Sequence, residues 1–336
     1  MTKPIIADDA ALDQAVHLLR QGRLVAFPTE TVYGLGADAA NAEAVGRIFA
    51  AKGRPADHPL IVHISGAGCL DDWAEPVPDA ARRLAEHFWP GPLAIILKKK
   101  PHVPDAVTGG QPTVGLRVPG HPVALRLLEK FGGGIAAPSA NRFCRISPTT
   151  ARHVEEELGN SVDLILDGGP CKVGVESTIV DLSGARPRLL RPGRISRVQI
   201  EEVLGVGLEL AAKTGPLDIR APGLMAVHYA PSTTALLCPS GAIWETLRQL
   251  IAQGRRVGLI AYHRAVLPPG LAHTLHMPAE AHDYAQALYA ALRETDNLGL
   301  DMIVIEQPPE SEAWHAVNDR LRKATVPAGS AIPDRE

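Results

Sequence analysis

The stretch Leu24-Val25-Ala26-Phe27-Pro28-Thr29-Glu30-Thr31-Val32-Tyr33-Gly34-Leu35-Gly36 passes from an apolar run to a polar turn within a few residues. Residues 24–27 are short, apolar and closed by a proline, the pattern of a buried strand. Thr29 and Thr31 then offer hydroxyls at that strand's carboxyl end, where ligands bind in open α/β sheets. The same hydroxyls also suit an ordinary Ser/Thr turn. Gly34 and Gly36 allow the chain to turn sharply, and residues 34–39 satisfy a degenerate G-x-G-x-x-A between a strand and a helix. The dinucleotide fingerprint also needs an acid ending the next strand, and residues 60–66 contain none.

Working outward, residues 60–64, 93–97, 114–118, 163–166 and 178–182 read as further strands, with 186–190 as one more at an edge. Residues 10–20, 43–51, 79–88, 123–131 and 149–158 carry helical periodicity, the last entered through Ser-Pro-Thr-Thr and stopped at Leu158-Gly159-Asn160. Six or more strands with interspersed helices predict an α/β sheet over one large core. From about 206 to 231 the periodicity fades under Gly207, Gly215, Pro216, Pro222, Gly223 and Pro231, as in a linker or functional lid. Strands at 234–238, 256–262, 271–276 and 302–306 then alternate with helices at 243–252, 281–293 and 312–324. They predict a smaller Rossmann-like α/β domain. Residues 326–336 read as a frayed end.

The length, 336 residues, fits two domains. A hydrophobic share of 46% excludes wholesale disorder. Five Phe, four Trp and five Tyr are too few for a surface built on base-stacking rings. The net charge of -3 does not announce a nucleic-acid protein, but it is unevenly spread. Residues 1–197 hold 23 Lys+Arg and 21 Asp+Glu, and residues 198–336 hold 11 and 16, so the first part is the better place for an anionic ligand. Residues 1–20 carry Asp8, Asp9 and Asp13 and lack the apolar core of a signal peptide. No apolar run approaches the roughly 20 residues that span a bilayer. The four cysteines are far apart, with no C-x-x-C pair, which argues against disulfides and a Cys-based zinc site. A soluble, cytoplasmic protein with no membrane partner is expected.

No G-x-x-x-x-G-K-[ST] occurs, so the usual phosphate loop is absent. Residues 52–59, Lys-Gly-Arg-Pro-Ala-Asp-His-Pro, instead make a phosphate clamp: Lys52 supplies a point charge, Arg54 a planar fork, His58 a further donor, and two prolines stiffen the turn. A lysine at a helix end is also favoured by the helix dipole alone. His63 lies inside the strand at 60–64, where a lone histidine is more often structural. In residues 113–119, Thr-Val-Gly-Leu-Arg-Val-Pro, Thr113 and Arg117 share one strand face. An arginine among Val and Leu needs an anion, either an internal carboxylate or that of a ligand. Ser139 and Asn141 follow three glycines as compact hydrogen-bonding groups, and without G-x-S-x-G, Ser139 is not a hydrolase nucleophile. Glu176, in Gly174-Val175-Glu176-Ser177-Thr178, suits a metal ligand, a base or an arginine partner. Arg191, in Arg-Pro-Gly at a strand exit, suits a ligand contact, whereas Arg186 and Arg188 suit a solvated edge equally well.

Taken together, the segments PTETVYGLG (28–36), KGRPADHP (52–59), FWPGPL (88–93), TVGLRVP (113–119), APSAN (137–141), SPT (147–149), GVESTIVD (174–181) and RPG (191–193) resemble the threonylcarbamoyl-AMP synthase family with its YrdC-like fold. His228-Tyr229-Ala230-Pro231 and the tail resemble its longer, two-domain members. The resemblance implies a YrdC-like twisted mixed sheet with flanking helices at 1–205, a linker or lid at 206–233 and a Rossmann-like domain at 234–336. It implies that L-threonine, bicarbonate and ATP, with Mg²⁺, give threonylcarbamoyl-AMP and pyrophosphate. The product would feed a tRNA threonylcarbamoyl transferase, with weak tRNA contact. By matching position, Lys52, Arg54, His58, Thr113, Ser139, Asn141, Ser147, Thr149, Arg191 and Tyr229 are expected at ATP, with Lys52 and Arg54 catalytic. Thr31, His63, Arg117, Ser139 and Ser177 are expected at threonine. Cys144 stands where the family usually has Gly and would be strained at positive φ. An RNA-binding module on the same basic face is the alternative expectation.

Overall fold

Val25–Phe27 forms a strand (β2) because its three side chains are all fully buried, and the Pro-Thr that follows ends it. The computed structural model describes residues 1–210, 219–223, 225 and 228–327. They fall into two units, Met1–Phe143 with Ser147–Leu224, and Cys144–Ile146 with Met225–Glu336.

In the first unit, β2 is joined by β1 (Pro4–Ile6), β3 (Gly34–Asp38), β4 (Ile61–His63), β5 (Leu93–Lys98) and β6 (Thr113–Arg117). The remaining strands are β7 (Ile135–Ala136), β8 (Leu164–Asp167), β9 (Thr178–Asp181), β10 (Arg188–Arg191) and β11 (Glu209–Leu210). Among the described residues they form one mixed sheet in the order β1-β8-β2-β3-β7-β4-β6-β5-β9-β10-β11. The expected turn at 34–38 is therefore a strand, antiparallel to both β2 and β7. Gly36 makes that possible: a Cβ there would stand 2.7 Å from the Phe27 ring and 2.9 Å from Ile135. The dinucleotide motif is thereby excluded, since its glycines would have to turn into a helix.

Helices cover the sheet with their apolar faces. Asp9–Arg20 is capped by the Asp8 side chain and buries Leu12, Ala15, Val16 and Leu19. Ala42–Lys52 is capped by Asn41, buries Val45, Ile48 and Phe49, and ends at Gly53 with φ 63°. Arg197–Leu204, opened by a Ser196–Gln199 capping box and ended at Gly205, falls just ahead of the stretch where periodicity fades.

The second unit holds β12 (Ala235–Cys238), β13 (Val257–Ala261), β14 (His273–His276), β15 (Met302–Glu306) and β16 (Val326–Pro327). All its pairings are parallel, in the order β14-β13-β15-β12-β16, with helices Ile243–Ala252, Ala281–Asp296 and His315–Ala324 between strands. At the carboxyl end of β15 the Glu306 carboxylate is buried, and it accepts the backbone N–H groups of Tyr262 and His263 at 2.8 and 2.9 Å. Burial pushes its pKa up, but these bonds and the one to the His263 ring outweigh it and hold the group below the usual carboxylate value. Residues 326–327 pair with β12, which shortens the expected frayed end. Positions 328–336, and positions 211–218, 224, 226 and 227 of the expected lid, lie outside the described residues. Among the described residues no helix is long and apolar enough to cross a membrane.

Candidate functional site

Three strands converge on Arg117. It ends β6, parallel and in register with His63 at the end of β4, so both side chains leave the sheet at its carboxyl edge. The Arg117 guanidinium is buried; Nη1 donates to Thr31 Oγ1 at 3.0 Å and Nε to the Gly91 carbonyl at 3.3 Å. Its Nη2 lies 2.6 Å from Oε1 of Glu30. Of the two partners the sequence leaves open, the internal carboxylate is therefore present. Thr29 and Thr31 form the expected Ser/Thr turn: the Thr29 hydroxyl donates to the Val32 carbonyl at 2.7 Å and contacts the Thr31 hydroxyl at 2.8 Å. The turn also aims the Thr31 hydroxyl at Arg117. Burial, together with the Arg117 cation, pushes the His63 pKa down to about 3, so His63 is neutral at physiological pH.

The neighbouring cluster is reached through the turn that carries Gly91 and Pro92. The Pro92 carbonyl accepts the Thr178 N–H, which sets Ser177 beside it at the entry to β9. Arg191, at the end of β10, clamps Ser177: Nε donates to the Ser177 carbonyl at 3.0 Å and Nη2 to its hydroxyl at 3.2 Å. Its Nη1 reaches the Pro222 carbonyl at 3.1 Å, so all of these guanidinium contacts are internal. Ser147 donates to Glu176 at 2.6 Å, so a serine hydroxyl is one of the partners of this carboxylate. Thr149 stays close by, its hydroxyl 3.4 Å from His153.

The loop at 137–143 lies against β3, with a bridge between Gly34 and Ser139 and the Leu35 N–H bonded to the Pro138 carbonyl. Lys52, the last residue of its helix, is buried and donates to the carbonyl of Ser139 at 2.5 Å and to that of Asn141. Ser139 is half-buried and Asn141 fully buried. Arg54 bonds the Pro59 carbonyl at 3.0 Å, and His58 sets its ring edge-on to Phe143 at 5.4 Å. Burial and then the Arg54 charge lower the His58 pKa.

Thr113 starts β6, about 13 Å along the strand from Arg117. Tyr229 belongs to the second unit, with φ 62°, where it stacks on Tyr289 at 5.8 Å and lies under the Arg320 guanidinium at 5.4 Å. Arg188 is taken up by the buried Asp181 at 2.8 Å, while Arg186 is an exposed partner of Glu209. Glu30 is absent from the expected site. The signal for it is Arg117's need for an anion combined with an acid inside Thr29-Glu30-Thr31, at the carboxyl end of a strand. Among the described residues no group of three or more His, Cys, Asp or Glu is arranged to hold a metal ion.

Residues 17–193 match a family model described as telomere recombination, and residues 195–326 one described as threonylcarbamoyl-AMP synthase, C-terminal domain. A threonylcarbamoyl-AMP synthase of Pyrococcus abyssi is 42% identical over 319 residues, 93% of this chain and 93% of its own. One of Bacillus subtilis is 40% identical over 332 residues, 96% of this chain and 95% of its own. The crystal structure of P. abyssi Sua5 complexed with L-threonine matches with a TM-score of 0.89 at 40% identity, over 96% of each chain. The expected architecture, a mixed sheet followed by a smaller parallel one, is thus borne out. On its sequence and its fold, the chain belongs to the threonylcarbamoyl-AMP synthase family.

Proposed function

We propose that this protein makes threonylcarbamoyl-AMP and pyrophosphate from L-threonine, bicarbonate and ATP. The observation that carries the reading is the buried Arg117 at the carboxyl edge of the sheet, beside the neutral His63 and the Thr31 hydroxyl. A guanidinium there binds an amino acid carboxylate, and an uncharged imidazole accepts a hydrogen bond from the amine without repelling it. Ser177 completes the amino acid end. Bicarbonate and the free amine give a carbamate with loss of water. A carbamate oxygen then attacks the α-phosphorus of ATP, and pyrophosphate leaves with the electron pair of the broken bond.

Charge builds on the phosphates in that step, so catalysis calls for cations and backbone donors rather than a protein nucleophile. Lys52 and Arg54 are assigned to this work, with Lys52 also shaping the loop that bears Ser139 and Asn141. His58, Thr113, Ser147, Thr149 and Arg191 are assigned to the rest of the nucleotide. Mg²⁺ would enter as the ATP complex, held by phosphate oxygens and water, and would neutralise part of the phosphate charge. The chemistry is assigned to residues 1–205. We take the product to pass to a tRNA-modifying transferase, and the working compartment to be the cytoplasm, where ATP and tRNA are found. The RNA-binding alternative is not favoured, because the relatives that match nearly the whole chain are named as synthases.

Pyrophosphate release is the test. It requires L-threonine and bicarbonate together; equal release with serine, or without bicarbonate, overturns the assignment.

A further inference from the structure

The ion pair between Arg117 and Glu30 is close but poorly bonded. Nη2 and Oε1 are 2.6 Å apart, yet Nη2 and both Glu30 oxygens are buried without a hydrogen-bond partner. The rest of the guanidinium is satisfied, by Thr31 and Gly91. Buried polar atoms are normally paired, so three unpaired ones at a single contact mark a place where charge attraction alone holds the groups together. His63 Nδ1, on the adjacent strand, is a fourth such atom. An incoming carboxylate with a free choice of angle can make the hydrogen bond to Nη2 that Glu30 does not.

The surroundings hold Glu30 close to Arg117. Its backbone carbonyl accepts the Val173 N–H at 2.7 Å. Gly120 lies so near that a Cβ there would stand 3.5 Å from the Glu30 carboxyl carbon and from Oε1. A buried arginine without any anion would destabilise the fold before substrate arrives, and Glu30 prevents that. The same arrangement makes it a competitor for the nitrogen that a ligand carboxylate needs.

We propose that Glu30 is an internal stand-in for the substrate carboxylate, neutralising Arg117 until L-threonine displaces it from Nη2. This rests on the reading of Arg117 as the partner of the threonine carboxylate. Glu30 is then a positioning residue that lowers apparent affinity, because only the fraction of molecules with Nη2 released binds productively.

The test is calorimetric titration of L-threonine, without ATP, into the wild-type protein, Glu30→Asp and Glu30→Gln, each paired with thermal unfolding. L-Threoninol, which lacks the carboxylate, serves as control. The expected result is threonine binding about tenfold tighter in Glu30→Gln, with Glu30→Asp between, while unfolding temperatures fall in the opposite order. Threoninol binding stays constant across the three. Unchanged or weaker threonine binding in the variants overturns the proposal, as does a parallel change with threoninol, which would mean that Glu30 holds the amine. Should Glu30→Gln fail to fold, Glu30→Asp alone decides by the same criterion. If the wild type binds no threonine, the functional reading fails and the proposal with it; if it binds but the variants do not tighten, only the proposal fails.

Discussion

Lys52 and Asn141 are tied through the backbone: the buried Lys52 ammonium donates to the Asn141 carbonyl and, one turn of the loop earlier, to that of Ser139. A cation that the sequence offers as a phosphate clamp is therefore also the peg on which the loop hangs.

Lys52→Ala is expected to do two things. It leaves two carbonyls without their charged donor, lowering unfolding free energy by about 2 kcal/mol, and it abolishes pyrophosphate release. Urea denaturation beside the release assay separates the effects. Full stability with lost turnover would confine Lys52 to the phosphates.

The His63 imidazole gives a pH signature. Its pKa falls from 6.5 in the unfolded chain to about 3 when folded, so the unfolded state binds the proton more readily. Stability from this group is complete above about pH 6.5 and is lost as pH drops toward 3. Replacement by Gln is expected to flatten that part of the stability curve, measured by denaturation at pH 4, 5 and 7. Equal slopes for both proteins would contradict a neutral buried imidazole.

Gly193 closes the strand exit over Ser177. A Cβ there would stand 2.3 Å from the Thr178 nitrogen and 2.7 Å from the Ser177 carbonyl carbon. Since backbone cannot yield as a side chain does, Gly193→Ala is expected to cost about 2–3 kcal/mol and to weaken threonine binding through the displaced Ser177. Unaltered binding and stability would show that the loop has room to shift.

Cys144 has φ 62°, a left-handed conformation that costs a side chain about 1–2 kcal/mol. Cys144→Gly removes the strain but loosens the unfolded chain, so the expected net gain is up to about 1 kcal/mol. Chemical denaturation reads it directly, and a loss of stability would show that the cysteine side chain makes contacts worth more than the strain.

The elements easiest to read were those whose pattern is carried by side chains alone. The helices Asp79–Phe88 and Ile243–Ala252 and the strand Met302–Glu306 lie where periodicity and apolar runs place them. Gly34–Asp38 reads as a turn because two glycines hide its alternation, and only the packing of Phe27 and Ile135 against Gly36 explains why a glycine is needed there. The site divides in the same way. That Arg117 requires an anion follows from its apolar neighbours, but Glu30 as that anion depends on a ladder joining distant strands. That Lys52 is a useful cation follows from its type, but backbone carbonyls as its acceptors have no signature in any residue name.

Glu306 has a consequence of its own. Backbone N–H groups at the carboxyl end of a parallel strand are where open sheets of this kind receive a ligand's negative charge. Here the pair at Tyr262 and His263 is served by a side chain from the adjacent strand. A tethered carboxylate competes at an effective concentration that a free phosphate or nucleotide cannot reach in solution. In the second unit that anion seat is therefore filled from within, by the Glu306 carboxylate.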